Sequence, residues 1–330
     1  MSRTKLLFLS ADDARRALPM PDAVEAMKQA FAELSAGQAI VPQRIHMPLP
    51  HAGGDVLFMP AAGIDAGQIS MKIITLFEGN HAKGLPFIHA LIVLVDGLDG
   101  RPLAIMDGAM ITAIRTGAAS GAATDLLARA NSETVAVFGA GIQAQTQLEA
   151  VCAVRPIVRA SVFDSNTLAA MEFETEMSER LGIPVTAASS ARANLAEADI
   201  VCTATTSETP VFDDADLTPG VHINAVGSYK PLVREIPSET VVRARLVVDE
   251  TTAILEEAGD LLIPINEGLI GPSHICAELG QIVSGDKTGR RNDDEVTLFK
   301  SVGIAIQDLA AAGRILTNAR RDGLGTELDF

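Results

Sequence analysis

From Pro19 to Gly37 the apolar positions Val24, Met27, Phe31 and Leu34 recur at three- and four-residue spacing, the repeat of one face of an α-helix. Pro21 suits its first turn and Gly37 its C-terminal cap. From Ile40 to about Met106 the period shortens. The runs "VLFMP", "QISMKIITLF", "FIHALIVLVD" and "PLAIM" are apolar or alternating and are separated by Gly, Pro and Asn, which predicts a strand-rich, antiparallel region. "ITAIRTGAASGAATDLLARA" returns to a helical texture, with small residues that allow close packing. Six short apolar runs follow, "TVAVFG", "RASVFD", "IPVTAA", "DIVCTAT", "HINAVG" and "ARLVVDE", most with a helical stretch between them. That alternation predicts a doubly wound parallel sheet. The tail, "DEVTLFKSVGIAIQDLAAAGRILTNARR", predicts a helix with Ile304, Leu309, Ile315 and Leu316 among its apolar positions.

The 330 residues accommodate two domains at about 150 residues each. The pattern assigns residues 120–301 to an α/β nucleotide-binding domain. Residues 1–119, joined by the tail helix at 302–330, form an α+β domain able to supply substrate groups and an oligomer surface. A net charge of −16 repels a phosphate backbone and argues against a nucleic-acid partner. Cys152, Cys202 and Cys276 are scattered without a CxxC or a His at ligand spacing, and His46, His81 and His89 show no ligand spacing either. Neither a disulfide framework nor a metal site is expected. The apolar run ahead of Asp12 is too short for a signal peptide, and "IHALIVLV" is strand-sized. The expectation is a cytoplasmic protein without a membrane partner.

The stretch "VAVFGAGIQAQTQLEAV" places a glycine turn after a strand and before a helix. Gly139 permits the tight turn, Gly141 lets backbone approach a pyrophosphate, and Ala144 still allows close helix–strand packing. A helix starting near Gln143 aims its first amides at the phosphates. Asp164, ending "ASVFD", stands at the distance expected of an acid that hydrogen-bonds the adenosine ribose. Against it, an NADP 2′-phosphate costs about 4 kcal/mol, taking charges about 4 Å apart at an effective dielectric of about 20. The following "SNT" offers no Arg or Lys to compensate, so NAD is favoured over NADP. The alternative role for Asp164 is a cap for the next helix.

Arg44 in "VPQRIHMPL" and Arg115 in "ITAIRTGAAS" lie in apolar or small-residue surroundings, where an unpaired guanidinium is costly. Arginine holds a carboxylate bidentately, so both are candidates for gripping an amino or imino acid; the alternative is a surface position. In "QISMKIITLF", Ile69, Met71 and Ile73 share one strand face, placing Lys72 on the other with Ser70, Ile74 and Leu76. Lys72 then lies either on a half-exposed sheet or in a cleft, where desolvation lowers its pKa and suits it to hold a carboxylate or act as an acid. Asp249, in "RLVVDET", ends a strand and could cap a helix or touch a site.

Together these motifs resemble the ornithine cyclodeaminase/mu-crystallin family over nearly the whole chain. The resembling segments are "MKIIT", "GLPFIHALIVLVDGLDGRPLAIMDGAMITAIRTGAASGAA", "VFGAGIQAQTQLEA", "DIVCTATTSETPVF", "GVHINAVGS", "LVVDE" and "ELGQIVSGDKTGR", with "EVTLFKSVGIAIQDLAAA" after it. The resemblance implies a Rossmann-type NAD(P) domain and a first domain that dimerises through its strands, with a cleft between the domains. It matches Arg44 and Arg115 to carboxylate-binding arginines and Lys72 to an active-site lysine. It matches Gly139, Gly141, Gln143, Ala144 and Asp164 to the dinucleotide turn, and places Thr116, Thr203, Thr205, Val226, Ser301 and Gly303 along the cofactor.

One departure is informative. Cyclodeaminases and alanine dehydrogenases commonly carry a catalytic Asp after the "VG" pair, whereas "NAVGSYKPLVREIP" has Ser228, which looks like the ketimine-reductase branch. Ornithine cyclisation needs a group to deprotonate a distal amine; reducing a ring already closed needs a carboxylate clamp, a proton donor and a hydride. The expected activity is therefore NAD(P)H-dependent reduction of a small cyclic imino acid such as Δ1-pyrroline-2-carboxylate or Δ1-piperideine-2-carboxylate, with Ser228 lining the cleft by hydrogen bonding. Ornithine cyclodeaminase, an alanine-type dehydrogenase and a non-enzymatic crystallin-like binding protein are the alternatives.

Overall fold

A computed structural model describes residues 5–64 and 67–329; Met1–Thr4 of the N-terminal segment and the His81 side chain lie outside the described set. The chain divides into two compact units, Met1–Arg115 with Ile304–Phe330, and Thr116–Gly303. The first division falls inside the helix Gly108–Leu127, after Arg115 where residue 119 was the expected end; the second follows Gly303 where 301 was expected.

The first unit is built on an eight-stranded sheet in the order Thr326–Asp329, Lys5–Leu9, Pro102–Asp107, Ile88–Asp96, Gln68–Phe77, Gly54–Gly63 and Ala39–Ile40, with Ile45–Leu49 also paired to Gly54–Gly63. Its pairings are antiparallel, as the alternating runs implied, except that Lys5–Leu9 runs parallel to Pro102–Asp107. The helix Ala305–Asp322 lies across the central strands and against the helix Met20–Ser35. Met27 and Phe31 from the earlier helix, Ile315 and Leu316 from the later one, and Met59, Ile92 and Met106 from the sheet are all buried. The opposite sheet face is apolar too. Cross-strand register aligns Ile45, Phe58, Ile73 and Leu91 in one row and Pro60, Met71, Val93 and Ile105 in the next, and every one of these is exposed or half-buried.

The second unit carries an eight-stranded, wholly parallel sheet in the order Val185–Ala187, Arg159–Phe163, Thr134–Phe138, Ile200–Thr203, His222–Ala225, Thr297–Lys300, Arg245–Val248 and Ile275–Glu278. Two apolar clusters, one around Phe138, Ile223 and Leu298 and one around Leu148, Val162 and Phe173, fill it. The chain winds outward from Thr134–Phe138 through Arg159–Phe163 to Val185–Ala187, then returns to start the other half at Ile200–Thr203. The strand order therefore reverses between Thr134–Phe138 and Ile200–Thr203, where ligands of such sheets bind.

All six strands expected here are present, and Ile275–Glu278 and Thr297–Lys300 add two more. The second of these corrects the reading of the tail. Its helix begins only at Ala305, and Thr297–Lys300 is an interior strand with all four residues buried. A strand covered on both faces has no polar–apolar alternation, so a four-residue apolar run next to a helical repeat looks like more of the same helix. Among the described residues no helix is long and apolar enough to cross a membrane.

Candidate active site

Because every strand of the second unit runs the same way, their C-terminal ends share one edge, and the residues matched to the cofactor lie there, except Thr116 in the helix Gly108–Leu127. After Thr134–Phe138, Gly139 takes φ +96°, donates its N–H to the Phe163 carbonyl at 2.9 Å, and leaves room for a Cβ only 2.6 Å from the Ala204 oxygen. Glycine is required there by the chain's own packing. Gly141 differs. Its φ of −83° suits any residue, it caps the helix Ile142–Val154 without a side-chain hydrogen bond, and an added Cβ meets nothing within 4 Å. Two residues on, Gln143 Oε1 is buried without a partner among the described residues, while Ala144 is packed in the core. An open approach at Gly141 and uncapped helix amides fit a dinucleotide diphosphate, while the Gln143 oxygen fits a donor such as a hydroxyl.

Asp164 is half-buried; Oδ2 accepts the Ala140 N–H and Oδ1 the Asn166 N–H, each at 2.8 Å. The next helix is capped instead by Asn166, which accepts from Leu168 and Ala169. Asp164 thus ties the glycine turn to the end of the second strand, and each oxygen keeps a free lone pair for a ribose hydroxyl.

The remaining loops on this edge hang on two acids. Glu235, fully buried, accepts from Thr203 Oγ1 at 3.0 Å, from Thr205 N and Oγ1 at 2.7 Å each, from Gly227 N at 2.8 Å and from Ser228 N at 3.1 Å. Burial pushes its carboxyl up and the Lys300 charge pulls it down; three backbone N–H groups, which can only donate, favour the anion. Gly227 has to be glycine, since a Cβ there lies 2.4 Å from the Thr205 oxygen and 2.5 Å from Glu235 Oε1. Asp249 accepts Ser301 Oγ at 2.7 Å, Val302 N at 3.0 Å and Gly303 N at 2.8 Å, and burial raises its pKa. Lys300, also buried, pairs with Asp260 at 2.7 Å and donates to the Ser228 carbonyl at 2.5 Å, while Asp260 Oδ1 accepts the Glu235 and Ile236 N–H groups. Val226 donates its N–H to the Thr203 carbonyl at 3.0 Å, and the Thr116 carbonyl accepts Gln147 Nε2 at 3.2 Å. Ser228 is 3% exposed and donates its hydroxyl to the Val233 carbonyl at 2.7 Å, so the hydrogen bond it makes closes its own loop.

The first unit holds the second group of candidates. Lys72 is 1% exposed, on the buried face with Ser70, Ile74 and Leu76 that the alternation assigned it, and covered where a half-exposed sheet was the alternative. Its ammonium lies 2.7 Å from Asp308 Oδ2, and Arg115 Nε lies 3.2 Å from Asp308 Oδ1. Arg115 Nη1 donates to Gln307 Oε1, which also accepts the Ile304 N–H at 3.3 Å. Burial lowers the Lys72 pKa to about 8; the Asp308 carboxylate opposes that, and the charges of Arg115 and Arg44 reinforce it. Arg44 is half-buried between the strands Ala39–Ile40 and Ile45–Leu49. Two cations thus flank one buried carboxylate, and the charge of Arg44 is felt at Lys72.

Gln307 and Asp308 escaped the sequence reading, although a signal exists. Ile304, Asp308 and Ile315 fall on one helical stripe, so Asp308 is an acid at a core position. Glu235 carried no such signal, because a buried acid in a loop looks like a solvated one; Asp260 lies in the short helix Gly259–Asn266 and Lys300 ends an interior strand, and neither was singled out. Among the described residues no group of three or more His, Cys, Asp or Glu is placed to hold a metal.

A dinucleotide edge on a doubly wound sheet, with a lysine–arginine–carboxylate cluster in a separate sheet unit, defines a two-unit Rossmann-type oxidoreductase architecture. The chain matches the ornithine cyclodeaminase/mu-crystallin family over residues 4–323, and it belongs to that family. It is 39% identical to a Δ1-pyrroline-2-carboxylate reductase of Bacillus thuringiensis subsp. konkukian, covering 98% of this chain and 100% of the relative. Among solved structures it is similar to the Thermococcus litoralis Δ1-pyrroline-2-carboxylate reductase in complex with NADH and L-proline, with 44% identity, a TM-score of 0.94, and 97% and 99% of the two chains covered. It also resembles an archaeal alanine dehydrogenase dimer with bound NAD at 33% identity and a TM-score of 0.92, covering 99% of both chains.

The two glycines of the turn should separate on substitution. Gly139→Ala combines a backbone strain of about 1–3 kcal/mol with the contact on Ala204, whereas Gly141→Ala should change stability by less than about 0.5 kcal/mol. Urea unfolding of the two variants decides this, and equal losses would contradict the assignment.

Proposed function

We propose that this protein reduces small cyclic α-imino acids with NADH, taking Δ1-pyrroline-2-carboxylate or Δ1-piperideine-2-carboxylate to the saturated amino acid. One observation carries the reading. Lys72 and Arg115 bring two positive charges to the single carboxylate of Asp308, and Arg44 adds a third within reach of Lys72. A buried excess of positive charge is costly until an anion joins it, and a substrate carboxylate is such an anion. Full-length similarity to the two Δ1-pyrroline-2-carboxylate reductases supports the same substrate class.

In this reading Arg44 and Arg115 hold the substrate carboxylate. Arg115 uses Nη2, because Nε and Nη1 face Asp308 and Gln307. Lys72 Nζ orients the carboxylate and passes a proton to the ring nitrogen. Gly139, Gly141, Gln143, Ala144 and Asp164 hold the dinucleotide diphosphate and adenosine ribose, and Thr116, Thr203, Thr205, Val226, Ser301 and Gly303 line the rest of it. Bound there, NADH supplies the hydride that reaches the C=N carbon. One hydride at carbon and one proton at nitrogen convert C=N to CH–NH, so the protonated lysine is the active form. Holding the imine and its proton donor in register lowers the barrier further. Ser228, its hydroxyl committed to Val233, fixes the loop and leaves no carboxylate at that position to deprotonate a distal amine. That favours a reductase over a cyclodeaminase.

Purified protein should oxidise NADH when given Δ1-pyrroline-2-carboxylate, with kcat/KM at its full value below the Lys72 pKa and falling as pH rises through about 8. Ammonia and proline formed from ornithine without net change in NADH would establish a cyclodeaminase instead. NADH should outperform NADPH, by roughly a thousandfold in affinity if the Asp164 carboxylate meets the 2′-phosphate unscreened, and Asp164→Ser should narrow the gap; equal use of both by the unaltered protein removes Asp164 from the argument. Gly141→Ala should lose NADH affinity in a fluorescence titration while keeping its fold. The apolar outer face of the first unit's sheet suits burial against a second copy, and the dimeric archaeal alanine dehydrogenase supports that arrangement. Sedimentation should give the mass of two chains, and a monomer would count against it.

A further inference from the structure

Four acids of the described chain are essentially fully buried: Glu235, Asp249, Asp260 and Asp308. Three of them are fastened by backbone. Glu235 accepts the N–H groups of Thr205, Gly227 and Ser228, Asp249 those of Glu250, Val302 and Gly303, and Asp260 those of Glu235 and Ile236. Such acids hold loops in place. Asp308 is different: neither of its oxygens accepts a well-aligned hydrogen bond from any described residue. Its close polar neighbours are two side chains, Lys72 at 2.7 Å and Arg115 at 3.2 Å.

Gln307, next to it in the first turn of the helix Ala305–Asp322, is buried and equally committed. Its carbonyl oxygen faces Arg115 Nη1 and the Ile304 N–H, an arrangement that fixes the amide's orientation and leaves Nε2 without a partner among the described residues. Asp308 lies against Nε of the Arg115 guanidinium and Gln307 accepts from Nη1, so the direction of Nη2 is set by the C-terminal helix.

We infer that Gln307 and Asp308 are positioning residues for the imino-acid reduction: Asp308 keeps the Lys72 ammonium protonated and aimed, and Gln307 fixes the Arg115 edge that takes the substrate carboxylate. The inference rests on the reductase reading and deepens it. The charges facing Lys72 are Asp308, Arg115 and Arg44; of these only Asp308 favours its charged form, and the substrate carboxylate joins on the same side. Removing Asp308 leaves a buried ammonium beside two guanidinium groups, a setting that favours losing the proton. Removing the Gln307 carbonyl leaves that charge balance alone and frees Arg115 to swing.

The two roles therefore separate by experiment. Steady-state reduction of Δ1-pyrroline-2-carboxylate by NADH is followed across the neutral to alkaline range for the unaltered enzyme, Asp308→Asn, Asp308→Glu and Gln307→Met. For Asp308→Asn the alkaline fall in kcat/KM should move to lower pH by about 1–3 units, the range expected for losing an adjacent opposite charge. The deficit should then shrink as the medium is made more acidic, and Asp308→Glu should return the fall towards its original position. Gln307→Met should raise KM by roughly tenfold or more, the loss of one hydrogen bond to a charged group, with the alkaline fall unmoved. An Asp308→Asn enzyme uniformly slower at every pH, with its alkaline fall unmoved, would mark Asp308 as merely structural and overturn the assignment. If Asp308→Asn does not fold, Gln307→Met decides: an unchanged KM overturns the pairing and a raised KM with an unmoved pH profile supports it. An unaltered enzyme that leaves NADH unconsumed overturns the reductase reading and this assignment with it, a result distinct from any difference among variants.

Discussion

Lys72 sits in the middle of a sheet with 1% of its surface exposed, which is tolerable because the Asp308 carboxylate lies 2.7 Å from its ammonium. An ammonium stripped of water without such a partner loses its proton. Much of the first unit can be understood from that need. The C-terminal helix has to return across the strands Gly54–Gly63, Gln68–Phe77 and Ile88–Asp96 to bring Asp308 over the lysine. Arg115 has to end its part of the helix Gly108–Leu127 where it meets the same carboxylate. Lys72 and Arg115 share the one Asp308 carboxylate, so among the described residues this trio carries one positive charge more than negative.

The second unit meets the same constraint differently. Lys300, Asp260 and Glu235 are all buried, yet Lys300 pairs with Asp260 and both acids accept backbone N–H groups. Such a network is rigid. It serves to hold Thr203, Thr205, Gly227 and Ser228 at the strand ends, as Asp249 holds Ser301 and Gly303. On the proposed reading, one unit presents fixed backbone to a dinucleotide and the other presents the Lys72–Arg115–Asp308 cluster to an anionic substrate. A reductase of imino acids needs both, since the cofactor is recognised by shape and dipoles and the substrate by its carboxylate and its capacity to take a proton.

The parts of this arrangement that depend on local rules were legible in the sequence. The turn "FGAGIQA" was readable because its glycines answer to backbone geometry within a few residues, and Lys72 because alternation assigns a strand residue to a face. Arg115 stood out as a guanidinium in a run of small residues. The family motifs added the order of the two units. What was hidden depends on contacts distant in sequence. Asp308 lies 236 positions from Lys72, as the difference 308 − 72 shows, and only the returning helix joins them. Glu235 looks like an ordinary loop acid until two strand ends converge on it. Thr297–Lys300 was concealed by the covering of both its faces, which removes the alternation that marks a strand. That Ser228 follows the "VG" pair was readable, but its hydroxyl's commitment to the Val233 carbonyl follows from the loop's fold and from no pattern in the residues.

The central claim is that hydride goes to the carbon of a C=N bond whose carboxylate and nitrogen are handled by Arg44, Arg115 and Lys72. Isotope transfer tests it most directly. NADH carrying deuterium at both C4 positions of the nicotinamide is given with Δ1-pyrroline-2-carboxylate, and the product is examined by proton NMR. The account predicts proline with deuterium at its α-carbon, one atom for each NADH oxidised. Proline without deuterium, or NADH oxidised without proline formed, contradicts it.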